Sequence, residues 1–254
     1  LCGRSEGREL SGGGAWVVAE FAPPYFPLVP LRLATFNLES LDYDAADPGW
    51  FEARALALRG VLEALQADVL CLQEVNAQRQ PGDARRSFTA LRKLMEGSAC
   101  EGFHLVHSLR PGGGGPADVH NLAILSRWPI AAHGQVHHDL TPPLHWAPLH
   151  GGEAMALTFD RPLLHARIDP PQGRPIHLLN LHLRAPRAAH LPGGREGGRW
   201  RSLSHWAEAY YLAGLKRQGQ ALEARLFVER LFDADPQARI AVCGDLNAEA
   251  FEAP

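Results

Sequence analysis

Four short apolar runs, each followed by polar side chains, place the strongest constraint on the fold of this chain. Each run is rich in Leu, Ile, Val or Ala and is short enough to form a strand buried on both faces of a sheet. In α/β sheets, ligands gather outside the carboxyl ends of the strands, so we expect these four ends to converge on one pocket. The runs are 31–36 before Asn37, 68–72 before Gln73 and Glu74, 176–181 before His182, and 240–243 before Gly244, Asp245 and Asn247.

The last run delivers a carboxylate and a carboxamide two residues apart. Gly244 lets the backbone turn sharply there or come close to a ligand. An Asp and an Asn in such a position can hold a metal-bound water or a phosphate oxygen. Only residues 248–254 follow Asn247, so we expect any site group that lies further downstream to be missing from this chain.

Helical patterns fill the gaps between the runs. Residues 48–67 and 87–95 each predict a helix, and 202–232 is the longest helical stretch. We expect Gly214 and Gly219 to break or bend this last helix. The apolar face predicted for it consists of Leu203, Trp206, Tyr210, Leu222, Leu226 and Leu231. The alternation of strands and helices predicts an α/β or α+β fold.

Composition sets further bounds. The 254 residues can form one domain, and residues 1–27, rich in Gly, Glu and Arg, predict an irregular extension before a domain over 28–254. The net charge of −3 gives no general attraction to nucleic acid or acidic lipid. No apolar run reaches the length of a membrane span. The four cysteines lack disulfide or metal-ligand spacing, so we predict a cytoplasmic protein.

Each polar strand-end residue, taken alone, has an ordinary structural explanation. A single Glu74 is more often a turn cap or an ion-pair partner, Asn37 a turn residue, and His182 a hydrogen-bonded strand-end histidine. Together, these residues suit metal-assisted phosphoryl transfer. One carboxylate holds Mg²⁺ or Mn²⁺, a second orients or deprotonates a water, and amides and imidazole donate hydrogen bonds to the transition-state oxygens.

Five segments, in order along the chain, resemble the motifs of the endonuclease/exonuclease/phosphatase family, which has the deoxyribonuclease I-like fold. The resemblance implies a four-layer sandwich, in which two packed mixed β-sheets are flanked by α-helices. It also implies divalent-metal-dependent hydrolysis of phosphoesters. The segments are 34–38, 68–75, 123–130, 180–183 and 244–247.

The resemblance also implies roles residue by residue. Glu74 binds the metal, and Asn37 supports the metal or the phosphate. His182 contacts the scissile phosphate, Asp245 positions the attacking water, and Asn247 holds the phosphate or that water. Asn180 and Arg127 are candidates for a second shell around these groups.

The family's closing Asp-His segment has no match, so we expect the fold to lack its C-terminal strands. The region would lie beyond Pro254. This departure leaves a second hypothesis open, a catalytically silent binding or scaffold module that keeps the fold. The retained Glu74, His182 and Asp245 favour an enzyme.

The substrate stays open among nucleic acid and smaller phosphodiesters or phosphomonoesters. The arginine-rich segment 184–201 directly follows His182. It is either a solvated loop or a grip on substrate phosphates, with Arg184 and Arg187 as the binding candidates. The near-neutral charge does not favour nucleic acid. A nuclease would need a basic groove with aromatic stacking residues.

Overall fold

The computed structural model describes residues 17–21, 31–79, 85–171 and 173–249, with side chains from residue 31 onwards. The three helices are α1 Pro48–Leu65, α2 Thr89–Met95 and α3 Leu203–Ala234. The strands are β1 Val17–Phe21, β2 Leu31–Leu41, β3 Val69–Val75, β4 Gln78–Arg79, β5 Arg86–Ser87, β6 His104–His107, β7 Asn121–Ser126, β8 Ile130–Val136, β9 Leu144–Trp146, β10 Met155–Leu157, β11 Leu163–Ile168, β12 Ile176–His182, β13 Arg195–Glu196, β14 Arg199–Trp200 and β15 Arg239–Asp245.

The described residues divide into two compact units. The first unit takes in the described residues up to Gln135, with 164–181 and 237–245; the second takes in 136–163, 182–236 and the residues after 245. Strand β1 lies inside 1–27, where the sequence predicts an irregular extension, and the rest of that segment lies outside the described residues. The single domain over 28–254 stays a prediction.

All four apolar runs form strands, as predicted. In the first unit, a mixed five-stranded sheet has the order β1-β2-β3-β7-β6, in which β2 and β3 are parallel and the other neighbours are antiparallel. A second sheet has the order β15-β12-β11-β8. Strand β2 continues past Asn37 to Leu41, so the polar residues lie within the ends of strands as well as after them.

Two apolar clusters build the layers of the first unit. On one face of the five-stranded sheet, Leu70 and Leu72 pack with Phe51 of α1 and Leu91 of α2. On the other face, side chains of β2, β3 and β7 pack with those of β11, β12 and β15, including Leu164 and Leu178. These contacts confirm the prediction of a mixed α/β fold with two packed sheets and helices on an outer face.

The second unit is built on α3, and its packing differs from the prediction. The helix is continuous through Gly214 and Gly219, and Leu203, Trp206, Tyr210 and Leu222 are exposed. Apart from Leu212, the residues that the helix buries are small or polar. The carboxylate of Glu223 accepts hydrogen bonds from the backbone N–H groups of His138, Leu140 and Thr141. Glu208 accepts one from the Leu149 backbone N–H and one from the Trp146 indole N–H.

The glutamates explain why the predicted apolar face was wrong. The loop after β8 brings backbone N–H groups to the helix. Because buried donors require acceptors, the helix must supply them. Carboxylates on α3 supply them, so this polar side of the helix faces the interior. No helix in the described part of the chain has both the length and the apolar character needed to cross a membrane.

Gly244 lies on β15 directly against the backbone of β12. Its φ is 137°, and a Cβ there would collide with the backbone carbonyl of Leu181. Side chains rarely adopt that φ, so both the conformation and the space exclude them. The close approach at Gly244 is therefore one between the backbones of two neighbouring strands.

The substitution Gly244→Ala should destabilise the protein by about 3 kcal/mol, because the methyl group meets backbone that cannot give way. Urea unfolding measures the change. The matched control is Gly214→Ala in α3, where a Cβ meets nothing within 4 Å and helix propensity should add up to about 1 kcal/mol. Equal effects of the two substitutions would contradict the close approach.

A histidine pair makes stability depend on pH. His165 Nε2 and His177 Nδ1 are 2.9 Å apart on neighbouring strands. Burial, with a smaller contribution from His177, lowers the pKa of His165 to about 4. As the pH falls below the ordinary histidine pKa of about 6.5, the unfolded chain binds a proton that the folded chain does not, so stability should fall between pH 6.5 and 4.

Replacing His165 by Phe should therefore reduce the loss of melting temperature between pH 7 and pH 5. Differential scanning calorimetry at the two pH values measures the difference. His104→Asn, in the exposed part of edge strand β6, is the control for loss of a histidine. An unchanged pH dependence in His165→Phe would refute this assignment.

Candidate functional site

Two adjacent strands of the five-stranded sheet become irregular at the same edge. The register of β2 with β3 shifts between Asn37 and Leu41, and that of β3 with β7 shifts between Leu72 and Val75. Such bulges interrupt the ladder and redirect side chains. Glu74 lies within the second irregularity.

Four non-glycine residues at this edge have left-handed backbone. Their φ angles are 48° at Glu39, 56° at Ser40, 58° at Glu74 and 59° at His120. Conformations of this kind cost about 1–3 kcal/mol each and gather at functional sites. Their concentration on β2, β3 and the start of β7 marks this edge as the candidate site.

The amide of Asn37 joins two carboxylates. Its Nδ2 donates to Glu74 Oε1 at 3.2 Å and to Asp245 Oδ2 at 2.9 Å, while its Oδ1 accepts from the Glu39 backbone N–H at 2.8 Å. The structure thus brings together three of the residues predicted from separate runs. Two carboxylates so close repel each other, which favours binding of a cation between them.

The donor set fits a hard divalent cation. Mg²⁺ is held in proteins by one or two carboxylates while it keeps several waters, and Glu74 and Asp245 supply such a pair. Within the described ranges, no cluster of three or more His, Cys, Asp or Glu side chains is arranged to hold a metal. Asn37, predicted to support the metal or the phosphate, lies at the same place, with its oxygen on the Glu39 N–H and its nitrogen against both carboxylates.

Ser40 and His120 belong to the same network, and the sequence did not reveal them. Ser40 Oγ donates to Glu74 Oε2 at 3.2 Å and lies 3.4 Å from His120 Nε2. The backbone N–H of His120 donates to Asn76 Oδ1 at 3.0 Å. Ser40 lies in the irregular part of β2 and His120 directly precedes β7, and the sequence carries no recognisable signal for either position.

Asn180 supports this edge from the second sheet. It is completely buried, and its Nδ2 donates to the carbonyls of Leu72 and Ala123, both at 2.9 Å. Its Oδ1 accepts from Gln73 Nε2 at 2.7 Å. The amide therefore fixes the backbone immediately before Glu74, and the second-shell role of Asn180 stays a prediction.

The second unit holds other predicted residues. His182 is buried, and its carbonyl accepts a hydrogen bond from Arg161 at 3.4 Å. Asn247 Nδ2 donates to the carbonyl of Leu183, the next residue, at 2.9 Å. Within this unit, Asn247 therefore lies beside the chain that carries His182.

Arg184 is held by its own unit. Its Nη1 donates to Asp160 Oδ2 at 2.9 Å, and Lys216 Nζ pairs with the other oxygen at 3.0 Å. Burial alone would raise the pKa of Asp160, but Lys216 and Arg184 lower it below its ordinary value. Arg187, the other predicted binding residue, is exposed.

Comparison with known proteins identifies the family. The model of the endonuclease/exonuclease/phosphatase family matches residues 34–254. The chain belongs to this family. No curated protein matches the sequence.

Solved structures from the same comparison are similar at low identity. A functionally unknown conserved protein from Enterococcus faecalis is 20% identical, with 87% of this chain and 68% of that one covered and a TM-score of 0.44. A family protein from Beutenbergia cavernae is 20% identical, with 88% and 49% covered and a TM-score of 0.47. The catalytic domain of human Nocturnin is 16% identical, with 87% and 65% covered and a TM-score of 0.47.

One family-motif residue lies away from the carboxylates. Arg127 donates through its backbone N–H to the Asp68 carbonyl at 2.9 Å, and its Nε is 3.4 Å from Asp68 Oδ1. Asp68 directly precedes β3, whereas Glu74 lies near the end of β3. Along an extended strand, these two residues are about 20 Å apart. The structure therefore does not give Arg127 the second-shell contact predicted for it, because β7 runs antiparallel to β3.

Replacing Asn180 by Leu should lower the free energy of unfolding of this family member by about 3 kcal/mol. The change leaves two buried carbonyls and the Gln73 amide without their partner. Urea unfolding measures the loss. A change below about 0.5 kcal/mol, within the range of neutral surface substitutions, would show that Asn180 does not join the sheets.

Proposed function

We propose that this chain is a hydrolase of phosphodiester bonds that depends on Mg²⁺ or Mn²⁺. Members of the endonuclease/exonuclease/phosphatase family hydrolyse phosphoesters, and the chain belongs to that family. The observation that carries the finer proposal is the pair of carboxylates, Glu74 and Asp245, hydrogen-bonded to the one amide of Asn37.

The two carboxylates have different surroundings, which supports different roles. Glu74 accepts from both Asn37 and Ser40 through its two oxygens, so its orientation is fixed and it would hold the cation. When bound, the cation neutralises charge on the phosphate and polarises a phosphate oxygen. Asp245 accepts from Asn37 through Oδ2 and would orient the attacking water as a general base.

Asn37 acts as a positioning residue in this proposal. Its oxygen is fixed by the Glu39 N–H, which directs its amide hydrogens at Glu74 and Asp245. The roles predicted for His182 and Asn247 at the phosphate, and for Arg184 and Arg187 in substrate binding, rest on the sequence motifs and remain proposals. The cytoplasmic location also remains a prediction.

A substrate panel tests the proposal. Bis-p-nitrophenyl phosphate, p-nitrophenyl phosphate and plasmid DNA are each incubated with the protein and Mg²⁺, and product is followed by absorbance or by gel. We expect hydrolysis of a diester that EDTA abolishes and excess Mg²⁺ restores. Glu74→Gln and Asp245→Asn should each lower kcat/KM by at least about 100-fold, since each removes a charge that the reaction needs.

The control is Glu229→Gln, a charge change on the exposed side of α3, where Glu229 pairs with Arg225 at 2.8 Å. It should leave kcat/KM unchanged. If no phosphoester is hydrolysed, or if Glu74→Gln retains full activity, the hydrolase proposal falls. The first result would favour a silent binding module that keeps the family's fold.

A further inference from the structure

The second unit exposes aromatic rings that the proposed chemistry does not use. Trp206 and Tyr210, one turn apart on α3, are each 44% exposed and stack with ring centroids 5.5 Å apart and planes inclined by 27°. Tyr211 is 52% exposed and lies 5.4 Å from the Trp146 ring. Large aromatic surface left in water at one place marks a binding surface more often than chance exposure does.

Arginines surround the same part of the chain. The hairpin β13–β14 carries Arg195 and Arg199, and Arg201 follows it; all three are exposed. The Arg195 guanidinium lies 4.2 Å from the centroid of the Trp200 ring. Residues 184–217 hold seven Arg and Lys against two Glu, although the whole chain has a net charge of −3.

The neighbouring acids offset only part of the charge of these arginines. Glu208 is buried and accepts from Trp146 and Leu149. Glu196 is exposed and lies 3.6 Å from Arg201, a distance at which a surface ion pair contributes little. The cationic charge at 195–201 therefore faces solvent.

The hairpin packs against the first turns of the helix that carry the exposed rings. Trp200 packs in the apolar cluster that contains Ala209 and Leu212 of α3. The Arg201 N–H donates to the Gly194 carbonyl at 3.0 Å, and Ser202 caps the first turn of the helix. We call this the aromatic–arginine surface, formed by Arg195, Arg199, Arg201, Trp206 and Tyr210.

We propose that the aromatic–arginine surface binds single-stranded nucleic acid. Exposed rings stack on unpaired bases of any sequence, and arginines beside them contact the phosphates. Duplex bases are already stacked on each other, so the rings favour a single strand. The proposal adds a binding surface to the proposed hydrolase. Binding at this surface does not depend on the carboxylates of Glu74 and Asp245.

Fluorescence anisotropy tests the binding. Labelled oligo(dT) and oligo(U) of 20 nucleotides are titrated with the whole chain in EDTA, which prevents metal-dependent cleavage. We expect Trp206→Ala with Tyr210→Ala to weaken binding about tenfold or more. Replacing Arg195, Arg199 and Arg201 by Gln should reduce the slope of log K against log salt by about 2, because three cations no longer displace counterions.

Matched controls come from the other end of α3. Phe232 is 42% exposed on the same helix, and Phe232→Ala with Arg230→Gln should leave oligonucleotide binding unchanged. Thermal melting shows that each variant is folded. Wild-type binding that the aromatic variant retains, or that the control variant loses equally, would overturn the proposal.

Two further titrations distinguish single-stranded nucleic acid from a duplex and from a lipid surface. A duplex of the same length should bind more weakly than the single strand, and vesicles containing phosphatidylserine should not bind through these residues. Equal affinity for the duplex would reduce the surface to a general phosphate contact and refute base stacking. Vesicle binding that depends on Trp206 and Tyr210, without oligonucleotide binding, would replace nucleic acid by a lipid surface.

Hydrolysis of bis-p-nitrophenyl phosphate keeps the two proposals distinguishable. That substrate has no base to stack, so the aromatic variant should hydrolyse it at the wild-type rate. Oligonucleotide binding without any hydrolysis would support the surface and remove the proposed hydrolase. Hydrolysis without oligonucleotide binding would support the proposed hydrolase and remove the proposed binding surface.

Discussion

The buried amide of Asn180 is the interaction on which the candidate site most depends. It reaches from β12 to two carbonyls and one side-chain amide of the neighbouring sheet. Apolar side chains hold the two sheets together, but they allow small sliding movements. A buried amide with three hydrogen bonds allows only one arrangement, since any displacement leaves polar groups unpaired in the interior.

This constraint matters because the site is assembled from both sheets. Glu74 belongs to the five-stranded sheet and Asp245 to the other, and Asn37 contacts both carboxylates. The relative position of the carboxylates is therefore determined by how the sheets are fixed. Gly244 contributes by letting β15 approach β12 just before Asp245.

The sequence predicted the strands and the main site residues because both follow from short-range patterns. Apolar runs of strand length are recognisable, and polar residues at their ends identified Glu74, Asp245 and Asn37. The sequence did not indicate strand direction, so Arg127 was expected near the carboxylates although β7 carries it to the other end. It also did not indicate the irregularity in β2, within which Ser40 reaches Glu74, or the contact between Ser40 and His120. On α3, apolar spacing predicted a buried face, whereas glutamates that accept loop N–H groups determine which side is buried.

The left-handed residues at the edge of β2 and β3 imply a compromise between stability and activity. Glycine would adopt these conformations with less strain than Glu39, Ser40, Glu74 or His120. The side chains of Ser40, Glu74 and His120, which the network uses, therefore stand where the fold would be more stable without them. Selection for thermal stability alone should change these positions first, and selection for catalysis should preserve them.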